Sequence, residues 1–336
     1  MFNYNFVVLN STDNKFKIDH DAYYTICMED LYKLSEVVVV SWALDYAPMF
    51  VKYIFNLHNS EFINRYINLP FKKLWYPFYF KNKFRDNKPI CFVLIDRKYT
   101  VDYLHYLKKK YKNCKIVLLH RDLRFVCERM NPKLLTCKDI DLQMTFDKGE
   151  SIKYDMPHFD EFESKIEVPI SNQYPESDVF FAGKAKNRLD KLLAIYKSLT
   201  DAGLKCKYYL TGVEPSKRIP LPGIVYADKF MSYKDMLYHS VNSRCILDIN
   251  QENADGYTSR FLEAVMFNKR LLTDNKSIAS SEFYSEDNIQ IIDNYQHINT
   301  SFIRNNKAVD YHYAGQFSPI NLLFKIEKIL LNNFKF

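Results

Sequence analysis

One segment in the last third of the chain brings two carboxylates and an arginine close together. It runs from Asp255 to Ala264 with the sequence DGYTSRFLEA, and it joins a predicted strand to a predicted helix. In an open α/β sheet, ligands bind beyond the carboxyl ends of the strands. Glu263 lies inside the helix, where it can accept hydrogen bonds from the hydroxyls of a ribose. Arg260 shares that helix face and can contact a phosphate. The alternative interpretation is an ordinary helix with a solvated glutamate.

A second segment, FFAGKAKNR at 180–188, has the composition of an anion site. It follows a predicted strand directly and combines Gly183 with Lys184, Lys186 and Arg188. A helix is predicted next, and a helix N-terminus carries about half a positive charge together with unpaired N–H groups. These features suit a diphosphate. A solvated basic turn is the alternative.

The segment 71–85, FKKLWYPFYFKNKFR, interleaves eight apolar side chains with five cations and contains no acid. Aromatic rings stack on sugars, and cations beside apolar groups suit an anionic lipid surface. We therefore expect Lys72, Lys73, Trp75 and Tyr76 to contact an acceptor or a membrane. A loop that packs on the first sheet explains the same residues. No RNA-binding signature accompanies them, so nucleic acid is not an expected partner.

His120 and Asp96 each follow a predicted strand of the first half of the chain. Either side chain can orient an acceptor hydroxyl or serve as its base. A purely structural role is the alternative for both.

The first half of the chain alternates strand-like runs with a helical pattern. The predicted strands lie at 37–42, 90–95, 115–119 and 141–146, the last of them an edge strand, and a helix is predicted at 99–111. Continuous β-branched runs joined by helices are typical of a parallel sheet that is covered on both faces.

The second half repeats this α/β pattern after an acidic, proline-broken stretch within 157–177. Helices are predicted to open at Asn187, with Asp190 as partner, and at Ser232, with Asp235 as partner. Further helices are predicted at 258–267 and 319–331. The predicted strands lie at 178–182, 205–210, 224–226, 245–249, 270–273 and 289–292. The sequence therefore predicts an α/β domain at 1–165, a linker at 166–177, a second α/β domain at 178–316 and a C-terminal helix within 317–336.

The composition excludes several classes of protein. The 336 residues include only 7 glycines, too widely separated for a G-x-G-x-x-G dinucleotide loop or a Walker P-loop. The 7 cysteines form no C-x-x-C pair, and the 8 histidines show no metal-ligand spacing. The net charge of +7 is mild, and the longest apolar run is far shorter than a membrane span. We expect a cytoplasmic protein that contacts at most a membrane surface and needs no metal.

The segment 255–264 resembles the donor-site segment of GT-B glycosyltransferases. Many retaining members of that family have Glu, seven residues and a second Glu, with Gly after the first and Ala after the second. Here Asp255 replaces the first Glu, and its carboxylate is one methylene shorter. The resemblance covers nearly all of 178–275 and is to the bacterial enzymes of capsule, exopolysaccharide and lipopolysaccharide assembly. The first half matches only loosely, through 71–84 and 146–150.

The resemblance implies two Rossmann-like domains that face a cleft, with the C-terminal helix crossing back to the first domain. It also implies a transferase without a metal or cofactor, which takes a nucleotide-sugar, guessed to be a UDP-sugar, and a glycan or lipid-linked acceptor at the inner face of the plasma membrane. Retention is favoured over inversion. The implied catalytic residues are Asp255, Lys184, Arg188 and His120, and the implied donor ligands are Gly183, Lys184, Arg188, Gly256, Thr258, Arg260 and Glu263.

Two alternatives use the same fold. One is an inactive binding or accessory protein, in which Asp255 marks a lost catalytic position. The other is a nucleotide-sugar epimerase, which consumes donor when no acceptor is present.

Overall fold

The chain forms two compact α/β units. The computed structural model describes residues 1–9, 23–40, 44, 47–58, 60, 63, 66, 69–95, 99–250 and 256–332. One unit consists of Met1–His20, Tyr24–Phe159 and Ser318–Phe336. The other consists of Asp21–Tyr23 and Asp160–Phe317, so the stretch predicted as a linker belongs to this second unit.

The sheet of the first unit is parallel and has the strand order β2-β1-β3-β4-β5. Its strands are β1 (Asn5–Leu9), β2 (Val37–Val40), β3 (Ile90–Leu94), β4 (Lys115–His120) and β5 (Leu142–Thr145). Four of them match predicted strands, and β5 lies at the edge as expected. The sequence analysis missed β1, which pairs with β2 on one side and β3 on the other and is buried along its whole length.

Helices cover this sheet and supply its apolar core. They are α1 (Tyr23–Ile26), α2 (Met49–His58), α3 (Tyr76–Tyr79), α4 (Val101–Lys110), α5 (Arg124–Met130), α6 (Pro132–Leu135) and α7 (Lys148–Tyr154). Helix α4 begins where the hydroxyl of Thr100 accepts a hydrogen bond from the amide of Tyr103 at 3.3 Å. Its residues Leu104 and Leu107 pack on the sheet at helical spacing.

The sheet of the second unit is also parallel, with the order β11-β10-β9-β6-β7-β8. Its strands are β6 (Ser177–Lys184), β7 (Cys206–Thr211), β8 (Ile224–Ala227), β9 (Ser243–Asp248), β10 (Arg270–Thr273) and β11 (Ile289–Ile291). All six predicted strands are present, with ends that differ by at most two residues. From β6 the chain proceeds to β7 on one side, whereas β9 returns to the other side of β6. The strand order therefore reverses between β6 and β9.

The helices of the second unit are α8 (Leu189–Asp201), α9 (Tyr233–Val241), α10 (Ser259–Met266) and α11 (Thr300–Arg304). The hydroxyl of Ser232 caps α9 as predicted, because it accepts a hydrogen bond from the amide of Asp235 at 3.1 Å. The predicted cap at Asn187 is wrong. Residues Lys186–Arg188 form a 3-10 turn, entered with a positive φ at Lys186, and α8 begins after Arg188 without a side-chain cap.

The last helix, α12 (Pro319–Asn332), belongs to the first unit although it follows the second in sequence. Its Glu327 carboxylate accepts hydrogen bonds from the backbone amides of Asn3 and Tyr4. These bonds attach α12 to the beginning of the chain. Among the helices of the described residues, none is long and apolar enough to cross a membrane.

Candidate functional site

The carboxyl edge of the second sheet brings two of the sequence-predicted segments together. Ligands of open α/β sheets bind at the carboxyl ends of strands where the strand order reverses, which here is between β6 and β9. Lys184 ends β6, Asp248 ends β9, and α10 begins shortly after β9. Arg260, in the first turn of α10, connects both strand ends. Its Nη1 donates to the carbonyl of Ala182 at 3.2 Å, and its Nε lies 3.1 Å from Asp248 Oδ1.

Arg260 is held in a fixed orientation and keeps one donor group for a ligand. Its partner Asp248 is fully buried, so the ion pair is shielded from water. The side chain of Arg260 is 14% exposed. Its Nη2 has no hydrogen-bond partner in the part of the chain that the structure describes. The predicted phosphate contact from Arg260 therefore has a geometric basis.

Arg188 has a different environment from the one predicted. It is only 5% exposed, and burial, aided by the nearby charge of Arg260, lowers its pKa to about 10. Its Nε and Nη2 donate to the carbonyl of Lys184 at 3.2 and 2.9 Å, and its Nη1 donates to the carbonyl of Ile249. The guanidinium thus joins the ends of β6 and β9. Backbone carbonyls accept hydrogen bonds from each of its three nitrogens, and a contact of Arg188 with a diphosphate stays a prediction.

Gly183 lies beside both guanidinium groups near the end of β6. A Cβ at this position would lie 3.4 Å from Arg260 Nη1 and 3.5 Å from Arg188 Nη2. Both guanidinium groups also lie over the ring of Phe181, at 5.2 and 5.3 Å from its centroid. The backbone φ of 156° at Gly183, which residues with a side chain rarely adopt, is what favours glycine here.

Lys184 is the accessible cation of the site. It is exposed, and its Nζ lies 5.3 Å from the centroid of the Phe230 ring. No carboxylate among the described residues lies within ion-pair distance of it. Lys184 is therefore available to an anionic ligand, as the sequence analysis expected.

The N-terminus of α10 supplies backbone donors at the same edge. The hydroxyl of Thr258 accepts a hydrogen bond from the amide of Phe261 at 3.3 Å, which leaves the earlier amides of the first turn without an intrahelical partner. Preceding it, the carbonyl of Gly256 accepts a hydrogen bond from Asn275 Nδ2 at 3.2 Å. These two hydrogen bonds hold Gly256 and Thr258 in place at the start of the helix.

Glu263 lies deeper than the sequence analysis expected. It is fully buried, with Oε1 accepting a hydrogen bond from Tyr233 Oη at 3.2 Å and Oε2 accepting one from Ser240 Oγ at 3.0 Å. Tyr233 Oη also donates to Glu163 Oε1. Burial raises the pKa of Glu263 to about 7, although Arg260 and the hydrogen bonds act in the opposite direction. This carboxylate links α10 to α9 inside the unit, and its contact with a ribose stays a prediction.

A cavity of about 490 Å³ lies further along the carboxyl edge. Its walls come from the first turns of α8, with Lys191, and from the residues after β11, with Tyr295. The carboxylate of Asp274, at the end of β10, accepts hydrogen bonds from the Asn250 amide at 2.7 Å and from Tyr295 Oη at 3.0 Å. The cavity offers an aromatic ring and charged groups beside the predicted diphosphate segment.

Two predicted acidic residues, Asp255 and Asp96, lie outside the described residues. His120, which was predicted together with Asp96 to orient or deprotonate an acceptor hydroxyl, ends β4 in the first unit. Its ring is buried, its Nε2 lies 3.0 Å from Gln143 Oε1, and burial lowers its pKa. The side chain is therefore neutral at pH 7 and held by Gln143.

The aromatic segment of the first unit combines core and surface residues. Tyr76 is a core residue whose ring packs at 5.2 Å from that of Tyr103, so the expectation that it stacks on a ligand is corrected. Trp75 is half-buried and its Nε1 donates to His58 Nδ1 at 2.7 Å. Phe71 and Leu74 are the exposed apolar side chains of the segment's first turn.

Lys72 and Lys73, the two lysines of this segment that we expect to contact an acceptor or a membrane, differ in exposure. Lys73 is exposed and lies 3.3 Å from Asp102, and Lys72 is half-buried. Both lie in the 3-10 turn Lys72–Trp75, so the expected cations lie beside exposed apolar groups.

The sequence analysis missed the buried residues that position the charged side chains of the site. Asp248 is the clearest, because it positions Arg260. A charged residue inside the apolar run CILDI was the available signal, since a buried acid needs a partner. Tyr233 and Ser240 carried no signal, because their contacts with Glu263 arise from the packing of α9 beside α10 and not from spacing along the sequence. Within the described ranges, no group of three or more His, Cys, Asp or Glu side chains is arranged to hold a metal ion.

No family model and no curated protein matches the chain. Solved structures do match. An α-glucosyltransferase in complex with UDP and a 13-mer DNA containing an HMU base has a TM-score of 0.53 and 11% identity, over 96% of this chain and 99% of that one. A trehalose-6-phosphate synthase has a TM-score of 0.48 and 11% identity, over 98% and 99%.

A third match is to a chain of the accessory secretory protein 1,2 and 3 structure from Streptococcus pneumoniae, with a TM-score of 0.49 and 10% identity over 77% of this chain. The chain spans 57% of the length of that match and 50% of a chain from a GtfA/B complex. At these identities the matches concern the fold. The two parallel α/β sheets and the full-length match to the α-glucosyltransferase confirm the predicted architecture, and the chain has the GT-B fold.

Proposed function

We propose that this protein is a glycosyltransferase that moves a sugar from a nucleotide-sugar to a glycan or lipid-linked glycan. One observation carries the proposal. At the reversal of strand order in the second unit, the unpaired cation of Lys184, the free Nη2 of Arg260 and the N-terminus of α10 lie at one edge of the sheet. In a GT-B fold, this edge of the second domain is suited to a nucleoside diphosphate.

The chemistry follows from the charge that develops on the leaving diphosphate. Fixed cations and helix amides stabilise such charge most strongly where they are already oriented before the reaction. Asp248 orients Arg260, and Arg188 fixes the backbone that carries Lys184. These groups would stabilise the leaving group without a metal ion. Removing Lys184 is expected to reduce the rate by about 10²–10³, by analogy with the loss of one oxyanion-hole donor.

The finer assignments rest on the resemblance of 178–275 to enzymes of bacterial surface-polysaccharide assembly. On this basis the donor is a UDP-sugar, Asp255 faces the donor sugar, and the configuration is retained. The first unit, with His120, Trp75, Lys72 and Lys73, would receive the acceptor at the inner face of the plasma membrane. Phe71 and Leu74, exposed beside the two lysines, support contact with a lipid-linked acceptor.

Nucleotide binding is the first experiment. Calorimetric titrations with UDP, GDP, CMP and dTDP would be run with EDTA and again with magnesium. A ligand at about 100 times its Kd stabilises the folded state by about 2.7 kcal/mol, so thermal unfolding provides a second readout. We expect one diphosphate to bind equally well in EDTA.

Matched lysine variants locate the binding site. Lys184→Gln should weaken nucleotide binding about tenfold or more, since it removes a charge-assisted contact. Lys197→Gln is the control, because Lys197 is exposed on α8 and pairs only with Asp201, at 2.7 Å. Absence of binding by all four nucleotides would contradict the proposal, as would equal binding by the two variants.

A non-catalytic binding protein is the second candidate function. The observation that favours it is that Arg188 and Glu263, two of the expected donor ligands, are occupied by groups of the protein itself. Turnover distinguishes the candidates. A transferase consumes the nucleotide-sugar only with an acceptor, an epimerase consumes it without one, and a binding protein does not consume it.

A further inference from the structure

The amino edge of the second sheet, opposite the candidate donor site, contains two adjoining cavities. One has a volume of about 420 Å³ and the other about 270 Å³, and they share Ser243, Arg244 and Lys269. Their walls come from the residues that begin β6, β9 and β10 and from Lys205, which precedes β7. We call this pair of cavities the amino-edge groove.

The groove has an excess of positive charge. Its ionisable lining residues are the acids Glu176 and Asp178 and the cations Lys205, Arg244, Lys269, Arg270 and Lys307. Asp178 is engaged twice, since Oδ2 accepts a hydrogen bond from the backbone amide of Lys205 at 2.7 Å and Oδ1 lies 3.5 Å from Arg244 Nε. Lys307 pairs with Asp287 outside the groove. The cations of Lys269 and Arg270 remain uncompensated.

Arg270 is 6% exposed and has no carboxylate within ion-pair distance among the residues that the structure describes. Its Nη2 donates to the carbonyl of Lys307 at 2.6 Å, and its guanidinium carbon lies 5.9 Å from the centroid of the Phe302 ring. Its Nε is buried without a hydrogen-bond partner. A buried guanidinium normally pairs with an acid, so this one carries an unbalanced charge.

Lys269, the neighbouring residue, also has no carboxylate within ion-pair distance among the described residues. It is half-buried, and its Nζ donates to the carbonyl of Val241, at the end of α9. Burial lowers the pKa of Lys269, and no acid offsets this effect. Two adjacent cations at the start of β10 thus face one groove with no anionic partner from the described part of the protein.

Three asparagines add neutral donors to the smaller cavity. The Oδ1 atoms of Asn268, Asn305 and Asn306 accept hydrogen bonds from the amides of Tyr311 and Lys307 and from Arg244 Nη1, respectively. Their amide nitrogens are therefore left as donors. Cations together with amide donors suit the oxygens of a phosphate group and the hydroxyls next to it.

We propose that the amino-edge groove is a binding site for a phosphate-bearing ligand, held by Lys269 and Arg270. A bound phosphate would supply the negative charge that the protein does not provide there. The cavities are larger than one phosphate ion, so a phosphorylated sugar also fits. This site lies at the opposite edge of the sheet from the donor site, and the proposal does not depend on the proposed function.

Isothermal titration of the full chain tests the proposal. The probes are inorganic phosphate, glucose 6-phosphate and glucose, at constant ionic strength set with chloride, with and without saturating UDP. We expect phosphate and glucose 6-phosphate to bind, glucose not to bind, and UDP to leave the phosphate affinity unchanged. Tighter binding of glucose 6-phosphate would identify a phosphate ester as the ligand, and equal affinity would identify free phosphate.

Three variants at the groove and one control complete the test. Arg270→Gln and Lys269→Gln should each weaken phosphate binding about tenfold, because each removes one charge-assisted contact, whereas Lys269→Arg should retain it. Lys276→Gln is the control, since Lys276 is exposed after β10 at the carboxyl edge and pairs with Asp293. If Arg270→Gln fails to fold, the half-buried Lys269 decides the result.

Three results would overturn the proposal. They are no binding of either phosphate probe to the wild type, unchanged affinity in Lys269→Gln, and loss of phosphate binding when UDP is present. The last result would place the phosphate at the donor site. A failure of UDP to bind would contradict the proposed function alone, since the titration without UDP still reports on the groove.

Discussion

The buried carboxyl of Glu263 makes the stability of the second unit depend on pH in a direction opposite to that of most acids. Its neighbours are the hydroxyls of Tyr233 and Ser240, and Tyr233 also bonds to Glu163. Tyr233 has one proton to donate and faces two carboxyl groups. Burial raises the pKa of Glu263 from 4.5 to about 7, against the lowering effect of Arg260 and of the two hydroxyl groups, and so favours the protonated form in the folded state.

The sign of the effect follows from proton linkage. Between pH 4.5 and 7, the folded state binds a proton that the unfolded state has released. The contribution of Glu263 to the free energy of unfolding is then fully present below pH 4.5 and is lost as the pH rises through 7. One pKa unit corresponds to about 1.4 kcal/mol, so the whole rise corresponds to about 3–4 kcal/mol, of which about 2–3 kcal/mol is lost between pH 5 and 8.

Glu263→Gln tests this reasoning, because glutamine has the same shape and does not ionise. Its oxygen can accept a hydrogen bond from Tyr233, and its amide can donate to Ser240. We expect the variant to be about as stable as the wild type at pH 5 and about 2 kcal/mol more stable at pH 8. Urea unfolding followed by circular dichroism across this pH range measures the difference. Glu167→Gln, at an exposed position of the same unit, should leave the profile unchanged.

The result that would refute the reasoning is a specific one. If Glu263→Gln unfolds at lower urea concentration than the wild type at pH 8, the ionised carboxylate stabilises the fold. The assignment of a protonated, buried Glu263 would then be wrong. Parallel profiles at all pH values would refute it equally, since they would show that Glu263 does not titrate between pH 5 and 8.

Three further predictions, which use four variants, concern other parts of the second unit. Burial and the charge of Lys207 lower the pKa of His239 to about 4. The free energy of unfolding should therefore fall as the pH drops from 6.5 to 4. In urea titrations, His239→Gln should reduce this fall by about 1–3 kcal/mol. Gly223→Ala should unfold the protein at moderate temperature, because φ is 81° and the new Cβ would lie 2.2 Å from a backbone oxygen. Gly315→Ala is the control, since φ is 96° there but the space is open, and it should lower the free energy of unfolding by about 1 kcal/mol. Arg188→Lys should lower stability by about 2 kcal/mol in the same titrations, because an ammonium cannot replace the bonds that the guanidinium makes to two carbonyls.

The strands of the second unit could be predicted because their burial on both faces gives continuous apolar runs. The run Cys245–Ile249 is an example, and it appears in the structure as β9, displaced by one or two residues. The first strand of the chain, Asn5–Leu9, was missed although it is equally apolar. The periodicity of such a short apolar run does not by itself distinguish a strand from a helix. Its central place in the sheet arises from pairing with strands that are distant in sequence.

The site residues could be located from the sequence, but their orientation could not. Arg260 and Glu263 lie one helical turn apart on the same face of α10, and one turn corresponds to about 5.4 Å along the axis. That distance leaves Arg260 at the carboxyl edge of the sheet and places Glu263 against α9, among hydroxyl groups. Each of these side chains contacts a residue of another helix or strand, and the spacing of residues along one helix does not reveal such a contact.

The cations of the second unit show which groups a ligand can use. Arg188 donates hydrogen bonds to two backbone carbonyls, whereas Arg260 uses Nη1 and Nε for a carbonyl and a buried carboxylate and keeps Nη2 for a ligand. Among the residues that the structure describes, no carboxylate lies within ion-pair distance of Lys184 at that edge or of Lys269 and Arg270 at the other. An unpaired charge is where a bound anion gains most, because no existing ion pair has to be broken first. By this reasoning each edge of the sheet is suited to its own anion, and the two sites should bind independently.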